Sequence, residues 1–266
     1  INSIPQFEQK PFIIANTQNT ALSALKHKNI IPVFSKDNSK TLAHQEFIEI
    51  AQNCVAKAFP HHSINMPEIR VSHQIKGRTP DAIHKNAKDL LEHETTSYWE
   101  RMAFIIKIPA ISETVNGNTL SLTIGGIRSY NLENLYSKKT MERFKFFVGF
   151  QNQVCMNMCV WSDGFVEDLR VSSYQELQAQ ILQAIQNYQA EKHINLMKEL
   201  PNYNLTETQF AQLIGKSRLY HYLPKKEKNE LPALLLNDGQ ISTIAKDYYQ
   251  DESFCRKEGG NINLWQ

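Results

Sequence analysis

The sequence predicts an α+β protein: an antiparallel, hairpin-rich sheet packed by helices, with a smaller helical unit toward the C-terminal end. Apolar residues alternate with period two through segments between residues 69 and 161. Segments with helical spacing flank and interrupt these strands, near 41–59, 80–93 and 173–198. From Pro201 onward the pattern is helical only. The implied division is an arm over 1–29, a core domain over 30–198 and a helical subdomain over 199–266.

Residues 1–29 are polar and irregular apart from the island Phe12-Ile13-Ile14, which suits an arm packed along the body. Phe47, Ala51, Cys54, Val55 and Ala58 share one helical face, and Pro60 stops that helix. Ile69, Val71, His73 and Ile75 point one way, with Arg70, Ser72, Gln74 and Lys76 the other, as in a half-buried strand. Thr79-Pro80-Asp81 reads as a cap, a first-turn proline and a first-turn acid, opening a helix with Ile83, Ala87, Leu90 and Leu91 inside.

A strand over about 101–113 carries Met102, Phe104, Ile106 and Ile108 on one face. Asn116-Gly117 is a type I′ hairpin signal, and the returning strand carries Leu120, Leu122 and Ile124. Gly125-Gly126 marks a bulge or a close backbone approach. Strands follow at about 143–151 and 153–161, and Asp163-Gly164 turns into a short fifth. Ser173 and Glu176 form a capping box, as do Thr206 and Gln209, where Leu205 and Phe210 fit a hydrophobic staple. Asp238 caps a last helix through Ile241, Ile244, Ala245 and Tyr248.

Composition narrows the function classes. The 266 residues are 41% hydrophobic and 21% charged, which suits a globular core. No run approaches the ~20 apolar residues of a membrane helix, so no membrane partner is expected. Four cysteines, Cys54, Cys155, Cys159 and Cys255, are too sparse for a secreted disulfide framework; reduced thiols and a cytoplasmic location are the expectation. Ile1 is not a start methionine, and the end at Trp265-Gln266 reads as a truncation, so a targeting segment stays open. A formal charge of +2 neither demands nor forbids a nucleic-acid partner.

His73 is the polar member of an apolar strand face; a hydrogen-bonded, buried core histidine is preferred over a catalytic or ligand role. Lys76, Gly77 and Arg78, with Arg70 on the same strand, sit where strand turns to helix and could hold a phosphate, although Asp81 opposes an anion there. Arg128, Tyr130 and Asn131, with Lys138 and Lys139, suggest a basic lip that binds nucleic acid by charge and stacking. Phe144, Phe146, Val148 and Phe150 echo an RNA-binding stripe but read better as core. Ala211 and Gly215 have helix-turn-helix spacing, with Lys216, Arg218, Lys225, Lys226 and Lys228 nearby, although Pro224 cuts the second helix short. Cys155 and Cys159 lie ~13 Å apart on a regular strand, too far to share a metal. His61-His62 lack partner ligands, and no phosphate-binding glycine loop, zinc motif or nucleophile elbow occurs. No catalytic residue, cofactor or metal is assigned.

The segments Arg70–Ala82 (Arg-Val-Ser-His-Gln-Ile-Lys-Gly-Arg-Thr-Pro-Asp-Ala), Gly125–Lys139 and Phe147–Gly164 resemble a domain-of-unknown-function family carried by bacterial conjugative and integrated elements. More distantly, Asn152-Gln153-Val154-Cys155-Met156-Asn157 is similar to a stretch of the phage/plasmid-like proteins of unknown function. The resemblance implies a setting of DNA mobility or phage–host conflict and supplies no catalytic residues. The leading expectation is a non-catalytic accessory protein that binds DNA or RNA, as single strands or in annealing. The alternatives are a protein-interaction module, such as an inhibitor of a host defence factor, and an enzyme gathering His73, Arg78 and nearby carboxylates in one pocket.

Overall fold

The computed structural model describes residues 12–13, 16–29, 31, 41–130, 141–152, 164–231, 234, 236–250 and 261–265. The chain divides into two compact units, Ile1–His193 and Ile194–Gln266. In chain order the elements of the first are β1 (Gln18–Thr20), α1 (Leu22–Lys28), α2 (His44–Ala58), β2 (Glu68–Val71), β3 (Gln74–Arg78), β4 (Thr95–Trp99), β5 (Arg101–Val115), β6 (Asn118–Ser129), β7 (Glu142–Asn152), β8 (Gly164–Val171), α3 (Tyr174–Asn187) and the start of α4 (Ala190–Glu199).

Six strands form one sheet in the order β1-β2-β5-β6-β7-β8, each pairing antiparallel. The fold class is therefore α+β with a hairpin-rich antiparallel sheet. The Asn116-Gly117 turn has φ of 47° and 76°, the left-handed values a type I′ turn requires, and it joins β5 to β6. β7 pairs directly with β8; the strand expected over 153–161 and the Asp163 turn lie outside the described residues.

Helix α2 packs on the inner face of the sheet. Its Phe47 ring meets Phe104 at 5.1 Å and Phe144 at 4.8 Å, both edge-on. Phe144, Phe146, Val148 and Phe150 are all buried, so this stripe is core. Register runs unbroken past Gly125 and Gly126, opposite Ile105 and Phe104. A Cβ on Gly125 would lie 2.3 Å from the Phe104 carbonyl oxygen, and one on Gly126 would lie 2.4 Å from the Phe47 ring. The glycine pair thus serves close approach and makes no bulge. The irregularity lies in β5 instead, where Pro109, Ala110 and Ile111 fall between the partners of Leu122 and Ser121; proline has no N–H to give the ladder. On the outer face Phe12 is buried against Ala103, Ile105 and Phe147, with Ile13 packed beside it. The arm is not irregular throughout, since β1 pairs with β2 and α1 follows.

Three expected elements differ. The strand through 69–76 is broken: Ser72 donates its N–H to the Arg101 carbonyl and accepts the Arg101 N–H on its hydroxyl, both at 3.0 Å. The side chain thus takes the place of a ladder carbonyl, and β3 leaves to pair with β4. The helix expected over 80–93 is a set of 3₁₀ turns at Pro80–Ala82, Ala87–Asp89 and Glu92–Glu94. There Arg78 takes the Ile83 and Lys85 carbonyls, while Glu94 accepts the Leu91 N–H at 2.9 Å. Side chains occupy the backbone groups a helix would use, and Ile83 and Leu91 are exposed. The helix over 173–198 splits into α3 and α4 because Tyr188 is extended, its hydroxyl 2.6 Å from His193 Nδ1 and its ring beside Phe150.

The second unit holds β9 (Asn204–Thr206), α5 (Glu207–Tyr220), α6 (Lys225–Asn229), α7 (Asp238–Gln250) and β10 (Asn261–Asn263). It is not helical only, since β9 and β10 pair. The Thr206–Gln209 capping box forms, and Leu205 packs with Phe210, Tyr248 and Ile262. Asn237, and not Asp238, exchanges capping bonds with Gln240, both at 2.9 Å; Asp238 pairs with Arg218 instead. Helix α5 runs unbroken through Gly215, so the helix-turn-helix reading fails. Among the described residues no helix is long and apolar enough to cross a membrane.

Candidate functional site

Side chains alternate faces along a strand, so the register assigns each β5–β8 residue to one face. Arg101 lies opposite Ser129, Arg143 opposite Arg170, Lys145 opposite both Ile127 and Asp168, and Arg70 opposite Ala103. All of these share the outer face with Ala103 and Ile105. Arg101, Arg143, Lys145 and Arg170 gather at one end of the sheet, where Asp168 is the one carboxylate among the described outer-face residues of these strands. Toward the other end Lys107 pairs with Glu68 at 2.7 Å.

The arginine row is electrostatically costly. Arg143 and Arg170 are directly opposed on neighbouring strands, a placement that destabilises a sheet. Asp168 offsets part of this through Arg143, at 3.3 Å, with both side chains nearly half exposed. Such exposed pairs contribute ~0–1 kcal/mol. Ser129, Ile127, Arg143, Lys145 and Asp168 line a small hollow of about 40 Å³ between them.

The inner face at the same end is a buried polar cluster. Arg128 is 1% exposed; it donates to the Leu42 carbonyl and to the Glu142 carboxylate. Glu142 in turn accepts the Leu42 N–H with both oxygens at 3.1 Å. The guanidinium lies 4.3 Å from the Phe144 ring centroid and 4.6 Å from that of Tyr130. This cluster ties the residues just before α2 to β6 and β7. The Tyr130 ring also stacks on His44 at 4.3 Å and meets Tyr98 edge-on at 5.7 Å. Burial raises the Tyr130 hydroxyl well above its usual range, against the opposing pull of Arg128.

His44 is fully buried, with Nε2 2.8 Å from the Trp99 carbonyl, so Nε2 carries the proton. Among the described residues its Nδ1 has no hydrogen-bond partner. Burial first, and the Arg128 charge second, lower its pKa from 6.5 to about 3, although the Trp99 carbonyl favours the cation. Between those values the unfolded chain binds a proton that the folded chain refuses. Stability from this residue is therefore full above pH 6.5 and is lost as pH falls toward 3. His44→Gln, which keeps a donor for Trp99, is expected to flatten the pH dependence of the urea midpoint between pH 6.5 and 4 relative to the parent. Equal slopes in the two proteins would contradict the assignment.

The expected site residues scatter. Arg128 and Tyr130 do not form a solvent lip; both are buried on the inner face. His73 is not a core residue: its side chain is 69% exposed, with Nε2 3.2 Å from the Glu100 carboxylate, because the strand breaks beside it. Arg70 reaches the outer face, where it bonds the Thr17 hydroxyl at 3.0 Å and the Thr17 carbonyl. Lys76 is exposed on β3, and Arg78 is committed to loop carbonyls, with a 3₁₀ turn in place of a helix N-terminus. His73 immediately precedes β3 and Arg78 is its last residue, so an extended strand holds them about 16 Å apart. Asn131, Lys138, Lys139, Cys155 and Cys159 lie outside the described residues. Sequence spacing alone does not point to Arg101 or Arg170; the signal for the row is Arg143 and Lys145, which alternate out of phase with the Phe144–Phe150 stripe.

Among the described residues no group of three His, Cys, Asp or Glu side chains could hold a metal ion. Cys54 is buried, and burial raises its thiol to about 11, against the opposing charge of Lys57. No curated protein and no solved structure matches the chain significantly. The family model described as "Domain of unknown function, B. Theta Gene description (DUF3871)" matches residues 2–266, and the chain belongs to that family.

Proposed function

We propose that this protein binds single-stranded nucleic acid, without catalysis, through the outer face of its sheet at the Arg101–Arg143–Arg170 end, as an accessory protein of a mobile element. The observation that carries this reading is the direct opposition of Arg143 and Arg170. Two like charges held face to face cost stability, and a polyanion laid across them turns that cost into binding energy. Arg101 extends the row by two strand spacings, ~10 Å, which matches a backbone crossing the strands. Ile127, partly exposed beside the row, offers an apolar surface to unstacked bases that a duplex keeps inside. The mobile-element setting rests on the resemblance of the Arg70–Ala82 and Gly125–Lys139 segments.

The test is fluorescence anisotropy with labelled single- and double-stranded oligonucleotides, at low and near-physiological salt. The parent is compared with the Arg101→Ala, Arg143→Ala, Arg170→Ala variant. Salt-sensitive single-strand binding that the variant loses is expected. No binding at low salt, or binding the variant keeps, would overturn the reading.

A second reading, a protein-interaction module, has one observation in its favour. The second unit exposes large apolar side chains at the end of α5 and beyond: Leu219, Tyr222 at 86% and Leu231. Capture of a defined protein partner by the triple arginine variant, together with absence of oligonucleotide binding by the parent, would favour it.

A further inference from the structure

The hollow bounded by Ser129, Ile127, Arg143, Lys145 and Asp168 has the make-up of a seat for one phosphate group. Its volume of about 40 Å³ gives room for roughly three water-sized atoms, enough for the two non-bridging oxygens of a phosphodiester whose remainder stays outside. Two cations and Ser129 line it, and β6, β7 and β8 position them. Arginine binds phosphate oxygens in pairs, with short charge-assisted bonds of ~2.7–2.9 Å. Among the described residues that line the seat, the anion is the Asp168 carboxylate, 3.3 Å from the Arg143 guanidinium.

We propose that Asp168 is an internal placeholder for a backbone phosphate: it holds Arg143 in the unbound protein and yields it to a phosphodiester of the strand. This rests on the nucleic-acid reading above and names the group that limits its affinity. The exchange is cheap because the pair is long and nearly half exposed, so little stability is lost when it opens. Arg143 is then already ordered at the row, which lowers the entropic cost of binding. The displaced carboxylate stays beside Lys145, its cross-strand neighbour, so no charge is left unpartnered.

An internal anion competing for the seat must weaken binding, and removing its charge must strengthen it. Asp168→Asn keeps the shape and is expected to tighten single-strand binding about three- to tenfold at low salt, by analogy with the modest worth of an exposed pair. The control is Glu68→Gln, which changes net charge equally but lies on β2, roughly 20 Å away across four strand spacings. It should change affinity less than twofold. Arg143→Ala in the Asp168→Asn background should remove the gain. If Asp168→Asn binds no better than Glu68→Gln while the arginine variants still lose binding, the row binds nucleic acid but Asp168 is no placeholder. If the parent and Asp168→Asn both fail to bind any oligonucleotide, the reading and this proposal fall together.

Discussion

Arg128→Ala is expected to lower the free energy of unfolding by about 3–5 kcal/mol. Its guanidinium is buried against the Phe144 and Tyr130 rings, and among the described residues it donates to the Leu42 carbonyl and the Glu142 carboxylate. Truncation takes from the Glu142 carboxylate its buried guanidinium partner, and it opens a space beneath α2. Losing one partner of a buried pair costs far more than losing both. Arg128→Met combined with Glu142→Leu should therefore recover much of the loss, since the flanking Phe144 and Tyr130 rings accept apolar neighbours. Urea unfolding followed by circular dichroism measures both. Similar, small losses in Arg128→Ala and the double variant would show that the cluster is not what fastens α2 to the sheet.

The outer row should respond in the opposite sense, binding and stability moving apart. Arg143→Glu with Arg170→Glu changes four units of charge at the phosphate path. Single-strand affinity at low salt should fall on the order of a hundredfold or more. Arg170→Glu alone places a carboxylate opposite Arg143, converting a repulsive cross-strand pair into an attractive one. It should weaken binding by about tenfold or more while leaving the fold as stable as the parent or up to ~1 kcal/mol more stable. Surface changes of this kind rarely unfold a protein, so lost binding can be read as lost contact once unfolding midpoints are shown to match. If Arg170→Glu destabilised the fold, the pair would not be frustrated, and the reason for assigning it to a ligand would go.

Much of this architecture is legible in the sequence because alternation and turn chemistry act locally. Asn116-Gly117 dictates its hairpin, and the Phe144–Phe150 stripe dictates which face of β7 is core. The errors came where a side chain displaced a backbone partner. Ser72 ends the ladder that apolar spacing alone would carry through His73, and Arg78 and Glu94 hold a loop where Pro80 and Asp81 advertise a helix. Arg128, expected in a basic lip, is placed by strand register. Alternation from Leu120 through Ile124 continues unbroken to Arg128 and delivers it inward, opposite Met102. A bulge at Gly125-Gly126 would have turned it outward; the actual irregularity sits across the hairpin, at Pro109. The arginine row itself was hidden because it exists only in register: Arg101, Arg143 and Arg170 come from three strands, and nothing in their sequence spacing brings them together.

The central claim, that this row meets the phosphates of a single strand, is tested most directly by the salt dependence of binding. The slope of log affinity against log salt concentration should be about −2 to −3 for the parent, for three to four phosphate contacts on a single strand. The Arg101→Ala, Arg143→Ala, Arg170→Ala variant should give a weaker affinity and a slope shallower by about 2. Parallel lines for the two proteins, whatever their separation, would contradict the claim, because the arginines would then release no counterions and the strand would lie elsewhere.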